Sequence, residues 1–551
     1  MNLAGAISAY IEGLGISHVF GVSGASIEHL FHAMAKRDRV KVVLAKHETS
    51  AVTMAEGYFR RTGQLGIAMV TSGTGAFHTV PALAEALSSG IPLLVVVGQI
   101  ARGGEGRGAF QDSTGRSNPV NAAAIFATNA VAVEELRDAR DAGVMLDRLV
   151  AAALEKRGPS VLLVPRDVLA AEHPEELKPQ LPLRSGIDCD KELAAKAAAI
   201  LSRAKRTLFI LGKDVAYRSY REPVSDLVRR CGARVAVTAD GKALWDHDDP
   251  AFVGVVGVMG HDSAHAALAE AEVVVAVGTS LPVLSQPNPA LMGDKVLITV
   301  NHRASFVDER TAPNLECIAL IGDGARGVEL LLQDLVPQDP PPRQGTQSVT
   351  MLAPPSRPSL SPQTLTMRGV IDVLAQEFVG EVDVFVDAGN TGAAAIHYWQ
   401  HRNTERLFSV ALGMGGMGHS FGCAIGSTFA SGRRGLVLAG DGAFYMYGME
   451  IHTAWQYRLP IIFVIFNNNA HAMCHVREQV FLGEATGDNL FRPSAIGAGI
   501  AAMLPGILGF DVDDSSQLET SIKAVRNADG PSVISINLSA DEMPPFRAFF
   551  T

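Results

Sequence analysis

The stretch "GDGAFYMYGMEIHTAWQYRLPIIFVIFNNN", residues 440–469, holds the pattern that decides the fold. It follows a short apolar run, "RGLVLA", and it contains a helix-length segment and then a second apolar run, "LPIIFVIF". Two such runs joined by a helix predict a βαβ unit, in which parallel strands lie side by side in a buried sheet. An aspartate between two glycines then follows the first strand, and three asparagines follow the second.

The polar residues of this unit are expected to meet, because open parallel sheets bind ligands at the carboxyl ends of their strands. Asp441 would lie there beside Asn467, Asn468 and Asn469, with a helix from about Tyr447 to Tyr457 between the strands. One carboxylate with neutral amide oxygens suits Mg²⁺ or Ca²⁺. A lone Gly-Asp-Gly is more often a plain turn, but asparagines one crossover away favour a metal site.

The same alternation of strands and helices runs through all 551 residues. Short apolar runs such as "VKVVLA", "AEVVVAVG" and "PSVISINL" alternate with helical patterns, and a Pro-rich segment interrupts them late in the chain. This predicts an α/β fold with three domains, each with a central parallel sheet flanked by helices. We expect domains at residues 1–180, 186–335 and 364–551, with a linker at 336–363.

Composition narrows the class of partner. The net charge of −10 argues against a nucleic-acid surface, and no stretch has about 18 uninterrupted apolar residues, which argues against a membrane span. The five cysteines are scattered, with no Cys-x-x-Cys pair, so we expect a reducing, cytoplasmic setting. Small molecules are the expected partners.

Several motifs together resemble those of thiamine diphosphate (ThDP) enzymes of the acetolactate synthase, benzoylformate decarboxylase and benzaldehyde lyase type. Gly-Asp-Gly followed after one crossover by Asn-Asn is their cofactor motif. The blocks "KHETSAVTMAEGYFRRTG", "TSGTGAFH", "GAFQDS", "DAGNTG" and "GMGGMGHSFGCAIG" also resemble theirs, in the same order. The resemblance implies a pyrimidine-binding first domain, a non-catalytic central domain and a diphosphate-binding third domain.

The resemblance also implies the residues that hold the cofactor. Asp441 and Asn468 would bind Mg²⁺ through their side chains and Ala470 through its carbonyl, with the ThDP diphosphate completing the shell. The family often has Gln or Glu where Asn390 stands, so its contact stays open. The other residues expected to bind ThDP are Gly389, Asn390, Thr391, Gly415, Met417, Gly440, Gly442, Ala443, His471, Ala472 and Met473.

Glu48 heads a predicted helix, where a carboxylate is favourable for the helix dipole alone. By the resemblance it contacts N1′ of the aminopyrimidine and serves as an acid/base group acting through the cofactor. Met417 would wedge beneath ThDP and the Gly415 carbonyl would accept from its amino group.

Other candidate catalytic residues come from the same blocks. His78, His419 and His471 are each expected either to line the cavity or to be packed without a catalytic role. Phe110 and Gln111, in "GAFQDS", resemble the Phe-Gln of the synthases and are expected to border the cavity without supplying a strong acid.

The preferred function is carboligation, in which a 2-oxo acid is decarboxylated and its acyl carbanion is transferred to a second carbonyl. Simple decarboxylases of the family have an acidic or hydroxyl side chain where this chain has Ala25. One alternative is a decarboxylase that releases an aldehyde, with a histidine or Ser26 as proton donor. "MGHS" and "NNNAHAM" resemble phosphonopyruvate and sulfopyruvate decarboxylases, which indicates that its substrate could be anionic.

The third hypothesis is a binding protein that has kept the fold without the chemistry. The resemblance further implies a homodimer or homotetramer with its sites at the dimer interface. FAD stays open, because "LGKDVA" in the central domain gives no specific flavin signature.

Overall fold

The computed structural model describes residues 1–181, 188–216, 221–286, 288–307, 312, 314–336, 349–352 and 365–549. Within these residues the chain forms three six-stranded sheets in which every strand pair is parallel. The predicted fold class is therefore confirmed. Most of the predicted linker, 336–363, lies outside the described residues. None of the described helices is long and apolar enough to span a membrane.

The first sheet has the strand order β2-β1-β3-β4-β6-β5. Its strands are β1 (His18–Gly21), β2 (Lys41–Leu44), β3 (Gly66–Val70), β4 (Leu93–Gln99), β5 (Ala132–Glu135) and β6 (Pro159–Pro165). Its helices are α1 (Leu3–Gly13), α2 (Glu28–Met34), α3 (Glu48–Thr62), α4 (Thr74–Phe77), α5 (Val80–Ser89), α6 (Ala122–Ala127), α7 (Ala142–Lys156) and α8 (Arg166–Ala170).

The second sheet has the order β12-β11-β10-β7-β8-β9. Its strands are β7 (Thr207–Leu211), β8 (Arg234–Val237), β9 (Phe252–Val255), β10 (Val273–Val277), β11 (Val296–Asn301) and β12 (Glu316–Ile321). Its helices are α9 (Lys191–Leu201), α10 (Arg221–Arg230), α11 (Asp262–Glu270) and α12 (Gly324–Asp334).

The third sheet has the order β14-β13-β15-β16-β18-β17. Its strands are β13 (Asp383–Val386), β14 (Phe408–Val410), β15 (Gly435–Gly440), β16 (Ile461–Asn467), β17 (Leu508–Val512) and β18 (Ser532–Asn537). Its helices are α13 (Met367–Glu377), α14 (Asn390–Tyr398), α15 (His419–Ser431), α16 (Asp441–Tyr447), α17 (Ile451–Gln456), α18 (Ala472–Arg477), α19 (Ile496–Met503) and α20 (Ser515–Arg526).

The first and third sheets share one topology, since both run second, first, third, fourth, sixth, fifth in chain order. Their winding reverses between the first and third strands, and such a switch point leaves a ligand crevice at the carboxyl ends. In the third domain that crevice lies between β13 and β15.

The first and third domains pack through α3 and α15, which occupy equivalent places in the two topologies. A Cβ on Gly57 would lie 1.9 Å from the Cys423 carbonyl oxygen, and one on Gly426 would lie 1.8 Å from that of Met54. The two backbones are thus in direct contact. This crossing fixes α3, with Glu48 in its first turn, against the third domain.

Hydrogen bonds near the amino end of α3 join the same two domains. The Lys46 N–H donates to both carboxylate oxygens of Glu450, at 3.1 and 3.2 Å, and the Leu44 N–H donates to the Tyr457 hydroxyl. Glu450 is only 2% exposed, so its two bonds with Lys46 are largely shielded from water. They hold the end of β2 beside the segment from α16 to α17.

Candidate cofactor and active site

Asp441 begins α16 at the carboxyl end of β15 and is 1% exposed. Its carboxylate accepts the Gly442 N–H at 3.0 Å and the Ala470 N–H at 3.2 Å. Burial raises the pKa of Asp441 to about 6, although these two N–H groups oppose the rise. A carboxylate held in so dry a position is stabilised by a cation.

The asparagines supply further oxygen atoms beside it. Asn467 ends β16, and its amide nitrogen donates to the Ser494 carbonyl at 3.1 Å. Among the described residues, the side-chain oxygens of Asn468 and Asn469 are buried and have no hydrogen-bond partner. Buried oxygens without a donor cost free energy. Together with the Asp441 carboxylate they are the kind of donor set that a hard divalent cation takes.

The loop after β16 has a defined shape. Asn469 has a φ of 51°, a left-handed conformation that asparagine tolerates. Its carbonyl accepts the Phe491 N–H at 2.6 Å, and the His471 N–H donates to the Asn489 carbonyl at 2.9 Å. A Cβ on Gly442 would lie 2.8 Å from His471 Nδ1, so the glycine allows the histidine to lie against the start of α16.

The start of α14 faces the same crevice. Gly389 precedes this helix with a φ of 86°. Asn390 is 6% exposed, and neither polar atom of its side chain has a hydrogen-bond partner within the described parts of the chain. Thr391 is 4% exposed. Free N–H groups at a helix start favour an anion such as a phosphate, and the unpaired amide of Asn390 offers it a further contact.

A cavity of about 340 Å³ opens between these loops. Gly389, Gly415 and Met473, three of the predicted cofactor residues, line it. Leu284 of the second domain and Phe546 near the carboxyl terminus line it as well. Its volume is in the range of sites for small molecules, roughly 300–1,000 Å³.

Asp387 organises the loop that carries Met417. This residue follows β13, is 1% exposed, and accepts the Gly418 N–H at 2.8 Å. It also accepts the N–H and the hydroxyl of Ser420, at 3.1 and 2.6 Å. Met417 packs against the core shared by the first and third domains. Sequence reasoning missed Asp387, although an aspartate directly after a buried strand was a usable signal.

Glu48 and His78, both predicted from sequence, lie in contact. His78 Nδ1 is 2.9 Å from Glu48 Oε2, and the His78 ring stacks on His47 with centroids 4.5 Å apart. His47 caps α3 by accepting the Thr49 N–H at 3.1 Å. Burial lowers the pKa of His47, and charge on His78 adds to this, while Glu48 opposes it. The structure thus adds His47 to a Glu–His pair.

The segment after β3 lies against the side chains of both Glu48 and Gln111. A Cβ on Gly75 would lie 2.9 Å from Glu48 Oε1, and one on Gly73 would lie 2.8 Å from the Gln111 side chain. Gln111 has a φ of 63° and accepts a hydrogen bond from the Ser72 hydroxyl at 3.1 Å.

Uncharged side chains lie next to Gln111. The Ser72 hydroxyl is 2.8 Å from that of Ser26, so Ser26, Ser72 and Gln111 form an uncharged chain of hydrogen bonds. Ala25, the residue before Ser26 in the sequence, is exposed. Phe110 is 87% exposed and packs little within the single chain.

His419 lies in the contact between the first and third domains. It is 7% exposed in the crossing of α3 and α15, with Nε2 3.0 Å from Glu56 Oε2. Glu56 is also bonded to Arg60, at 2.6 Å. Burial alone would lower the pKa of His419, but the Glu56 carboxylate overcomes this and raises it. The structure therefore places His419 in a buried ion-pair cluster and not along the cavity wall.

The second domain has its own switch point, between β7 and β10. Asp214 follows β7, is 5% exposed, and pairs with Arg157 at 2.8 Å and with His302 at 3.2 Å. Burial alone would raise the pKa of Asp214, but Arg157 overcomes this and holds the pKa well below its usual value. Asp214, Arg157 and His302 thus form a buried cluster of opposite charges after β7.

Comparison with known proteins agrees with this geometry. Models of the thiamine pyrophosphate enzyme domains match the chain in order: the N-terminal TPP binding domain at residues 1–118, the central domain at 194–328 and the C-terminal TPP binding domain at 387–536. Thiamine pyrophosphate is another name for ThDP. The chain belongs to the thiamine pyrophosphate enzyme family.

Relatives match along almost the whole chain. It is 25% identical to the acetolactate synthase large subunit of Pyropia yezoensis, over 96% of this chain and 90% of that protein. It is 25% identical to the catabolic acetolactate synthase of Raoultella terrigena, over 98% and 95%. A crystal structure of a candidate thiamin diphosphate-dependent enzyme from Mycobacterium smegmatis has the same fold, with a TM-score of 0.79, 21% identity and coverage of 98% and 99%.

Proposed function

We propose that this protein is a ThDP- and Mg²⁺-dependent enzyme that decarboxylates a 2-oxo acid and joins the acyl group to a second carbonyl compound. The observation that carries the proposal is the oxygen donor set of Asp441 and Asn468 at one sheet edge, in a chain that also presents Glu48 at the start of α3. Relatives described as acetolactate synthases support the same class of reaction.

The metal would be held by the side chains of Asp441 and Asn468 and by the Ala470 carbonyl. Phosphate oxygens would lie against the N–H groups at the starts of α14 and α16. Bound ThDP supplies a nucleophilic carbon that adds to the carbonyl of a 2-oxo acid.

Glu48 is the acid/base group of this proposal. Its carboxylate would exchange a proton with N1′ of the cofactor through Oε1 or Oε2. His78 lies 2.9 Å from Oε2 and restricts the rotation of the carboxylate, while His47 fixes the start of the helix that carries it. The loops that enclose the cavity would exclude water from the reacting carbonyl.

Carboligation is favoured over simple decarboxylation by the uncharged groups near Glu48. Ser26, Ser72 and Gln111 hydrogen-bond to one another, and Ala25 offers no proton. These groups would supply no strong acid to the reacting carbon, so transfer of the acyl unit to a second carbonyl compound would compete better with protonation.

Product analysis tests the proposal. The purified protein with ThDP and Mg²⁺ is given pyruvate or another 2-oxo acid, with and without aldehyde or 2-oxo acid acceptors, and products are identified by mass spectrometry. We expect 2-hydroxyketone or acetolactate-type products that increase with acceptor. Free aldehyde as the main product, unchanged by any acceptor, would favour the decarboxylase. No product and no ThDP binding would favour a non-catalytic protein.

The decarboxylase is the second candidate because His78 touches Glu48 and can carry a proton. Of the other candidate donors, His419 is held by Glu56 in the helix crossing. The variant His78→Asn therefore distinguishes the decarboxylase from the carboligase. His78→Asn is expected to reduce aldehyde release in a decarboxylase, and to leave the ratio of ligated product to aldehyde unchanged or higher in a carboligase.

A homodimer or homotetramer belongs to the same proposal. Relatives of this family bind ThDP between a pyrimidine domain and a diphosphate domain of different subunits, as the sequence resemblance implies. We propose the same arrangement here, with Glu48 of one subunit acting on a cofactor whose metal end is held by its partner.

A further inference from the structure

Glu85 of α5 belongs to none of the motifs considered above and is 2% exposed. Its Oε1 accepts the Gly413 N–H at 3.0 Å and the Ser89 hydroxyl at 2.7 Å. Its Oε2 accepts the N–H groups of Met414 and Gly415, at 2.5 and 3.3 Å. Three successive backbone N–H groups thus converge on one carboxylate, in the way that backbone nests bind anions.

The backbone of this loop is shaped around the carboxylate. A Cβ on Gly413 would lie 2.8 Å from Glu85 Oε1 and 2.9 Å from Ser88 Cβ, so a side chain there would push the loop away from α5. Gly415 has a φ of 66°, which other residues adopt only with strain. Two of the three residues whose backbone N–H groups donate to Glu85 are therefore glycines for reasons of geometry.

The loop has a second anchor at its other end. Asp387 accepts the N–H groups of Gly418 and Ser420 and belongs to the third domain, as the loop does. Glu85, in contrast, belongs to the first domain. Of the residues expected to face the cofactor, Gly415 is the last that donates to Glu85, and Met417 lies between it and the residues held by Asp387. The shape of this segment therefore depends on the first domain being docked against the third.

We propose that Glu85 is a positioning residue that aims the Gly415 carbonyl at the aminopyrimidine of ThDP, so that cofactor binding requires docking of the first domain. The inference rests on the proposed function for the identity of the cofactor. Hydrogen bonds to an ionised carboxylate are shorter and stronger than neutral ones, which suits a group that must fix a glycine-rich loop.

Binding of two probes tests the proposal. Glu85→Gln keeps the size of the side chain but places an NH₂ donor against backbone N–H groups. We expect the Kd for ThDP with Mg²⁺ to rise about 10- to 100-fold in calorimetry. The Kd for inorganic diphosphate with Mg²⁺ should not change, because Asp441 and Asn468 are untouched. An unchanged Kd for ThDP, or an equal loss for both probes, would overturn the proposal.

Amide hydrogen exchange of the chain without cofactor gives an independent readout. Glu85→Gln should speed exchange of peptides covering residues 411–418 and leave residues 419–431 unchanged. Ser89→Ala, which removes only the hydroxyl bond, is the matched control and should change exchange little. Equal exchange in Glu85→Gln and the wild type would refute the role of Glu85, whether or not the wild type binds ThDP.

Glu85→Asp is a second test variant, to be used if Glu85→Gln does not fold. It keeps the charge but shortens the side chain, so we expect a ThDP affinity between those of the wild type and Glu85→Gln. If the wild type itself binds no ThDP, the proposed function fails, while the exchange experiment still decides whether Glu85 holds the loop. An affinity for ThDP in Glu85→Asp equal to the wild type, with unchanged exchange, would contradict the proposal.

Discussion

Asp441 illustrates how one residue can depend on its ligand. Its carboxylate is buried at the start of α16, and its neighbours include amide oxygens that lack a donor within the described residues. Such a group raises the free energy of the folded chain unless a cation neutralises it. The metal would then stabilise the folded site in addition to binding the cofactor.

Replacement of this carboxylate gives the first prediction. Asp441→Ala should abolish ThDP binding, and excess EDTA should do the same for the wild type, because the diphosphate needs the cation. Asp488→Ala is the control, since this exposed aspartate lies in the neighbouring segment and bonds only to Thr486 among the contacts of the described chain. Calorimetry that finds unchanged affinity in Asp441→Ala would contradict the metal site.

A second residue-scale prediction concerns the acid/base group. Glu48→Gln keeps the size and loses the acid, so turnover should fall by about 10²- to 10⁴-fold with ThDP still bound. Glu28→Gln is a matched control, because Glu28 is also in the first turn of a helix and is exposed. Exchange of the C2 proton of ThDP, followed by NMR, should slow in Glu48→Gln only. Wild-type rates in that variant would mean that the acid/base group is elsewhere.

Residue chemistry was predictable from sequence where a motif marks it. The spacing of Asp441 and Asn468 follows from one βαβ unit, and Glu48 stands at a recognisable helix start. Asp387 and Glu85 were not predictable in the same way, because each acts by accepting N–H groups from a loop distant in sequence. A single sequence does not say which backbone donors a buried carboxylate will meet.

At the scale of elements, the helix after β15 begins earlier than the sequence indicates. We expected a helix from about Tyr447, but α16 starts at Asp441, and a 3₁₀ turn, Gly448–Glu450, separates it from α17. Glycine at 442 and 448 lowers helix propensity, which hides the first turn from a pattern-based prediction. The strands, in contrast, agree closely because their apolar runs are fully buried.

The crossing of α3 and α15 gives a prediction for pH. The pKa of His419 is raised above 6.5 by Glu56, so the folded chain binds that proton more tightly than the unfolded chain does. This contribution to stability is complete below about pH 6.5 and is lost as pH rises through the raised value. The pKa of Glu56 is lowered from 4.5 to about 2 by His419 and Arg60, although burial opposes this, so its contribution is lost as pH falls through that range.

Thermal unfolding measures this dependence. The midpoint temperature of unfolding of the wild type should decrease as the pH is raised from about 6 to about 9. His419→Asn should start lower at pH 6, because it leaves Glu56 with Arg60 alone, and should show a weaker slope above it. His32→Asn is a control, since His32 lies on α2, away from the crossing. An identical slope in the wild type and His419→Asn would exclude His419 as the group that titrates.

At the scale of the whole molecule, the sheet count and class were predictable because βαβ units repeat with similar lengths. The packing between domains was not. Arg157 of α7's carboxyl end reaches Asp214 of the second domain, and α3 meets α15 at glycine positions. These contacts depend on how large surfaces fit together, and neither periodicity nor composition specifies that fit. The boundaries at 180, 186, 335 and 364 stay predictions.

The last prediction concerns assembly. Tyr445, Met446 and Met449 are 49%, 51% and 44% exposed in the single chain, on α16 and the turn that follows it. Large apolar side chains grouped beside a candidate active site are typical of a protein interface. We expect a second copy of the chain to cover them. A glutamate at position 446 would then be buried without a partner, which costs several kcal/mol. Met446→Glu should therefore shift the protein from dimer to monomer in sedimentation.

Activity should fall with the dimer, because the proposed site needs groups from two subunits. Val144→Glu is the matched control: Val144 is 62% exposed on α7 of the first domain, so the added charge stays in water. The control should keep the wild-type sedimentation and activity. A monomeric Met446→Glu that retains full activity at assay concentration would contradict the proposed shared site. Glu48 and Asp441 of one chain would then act on the same cofactor, and each chain would complete its own site.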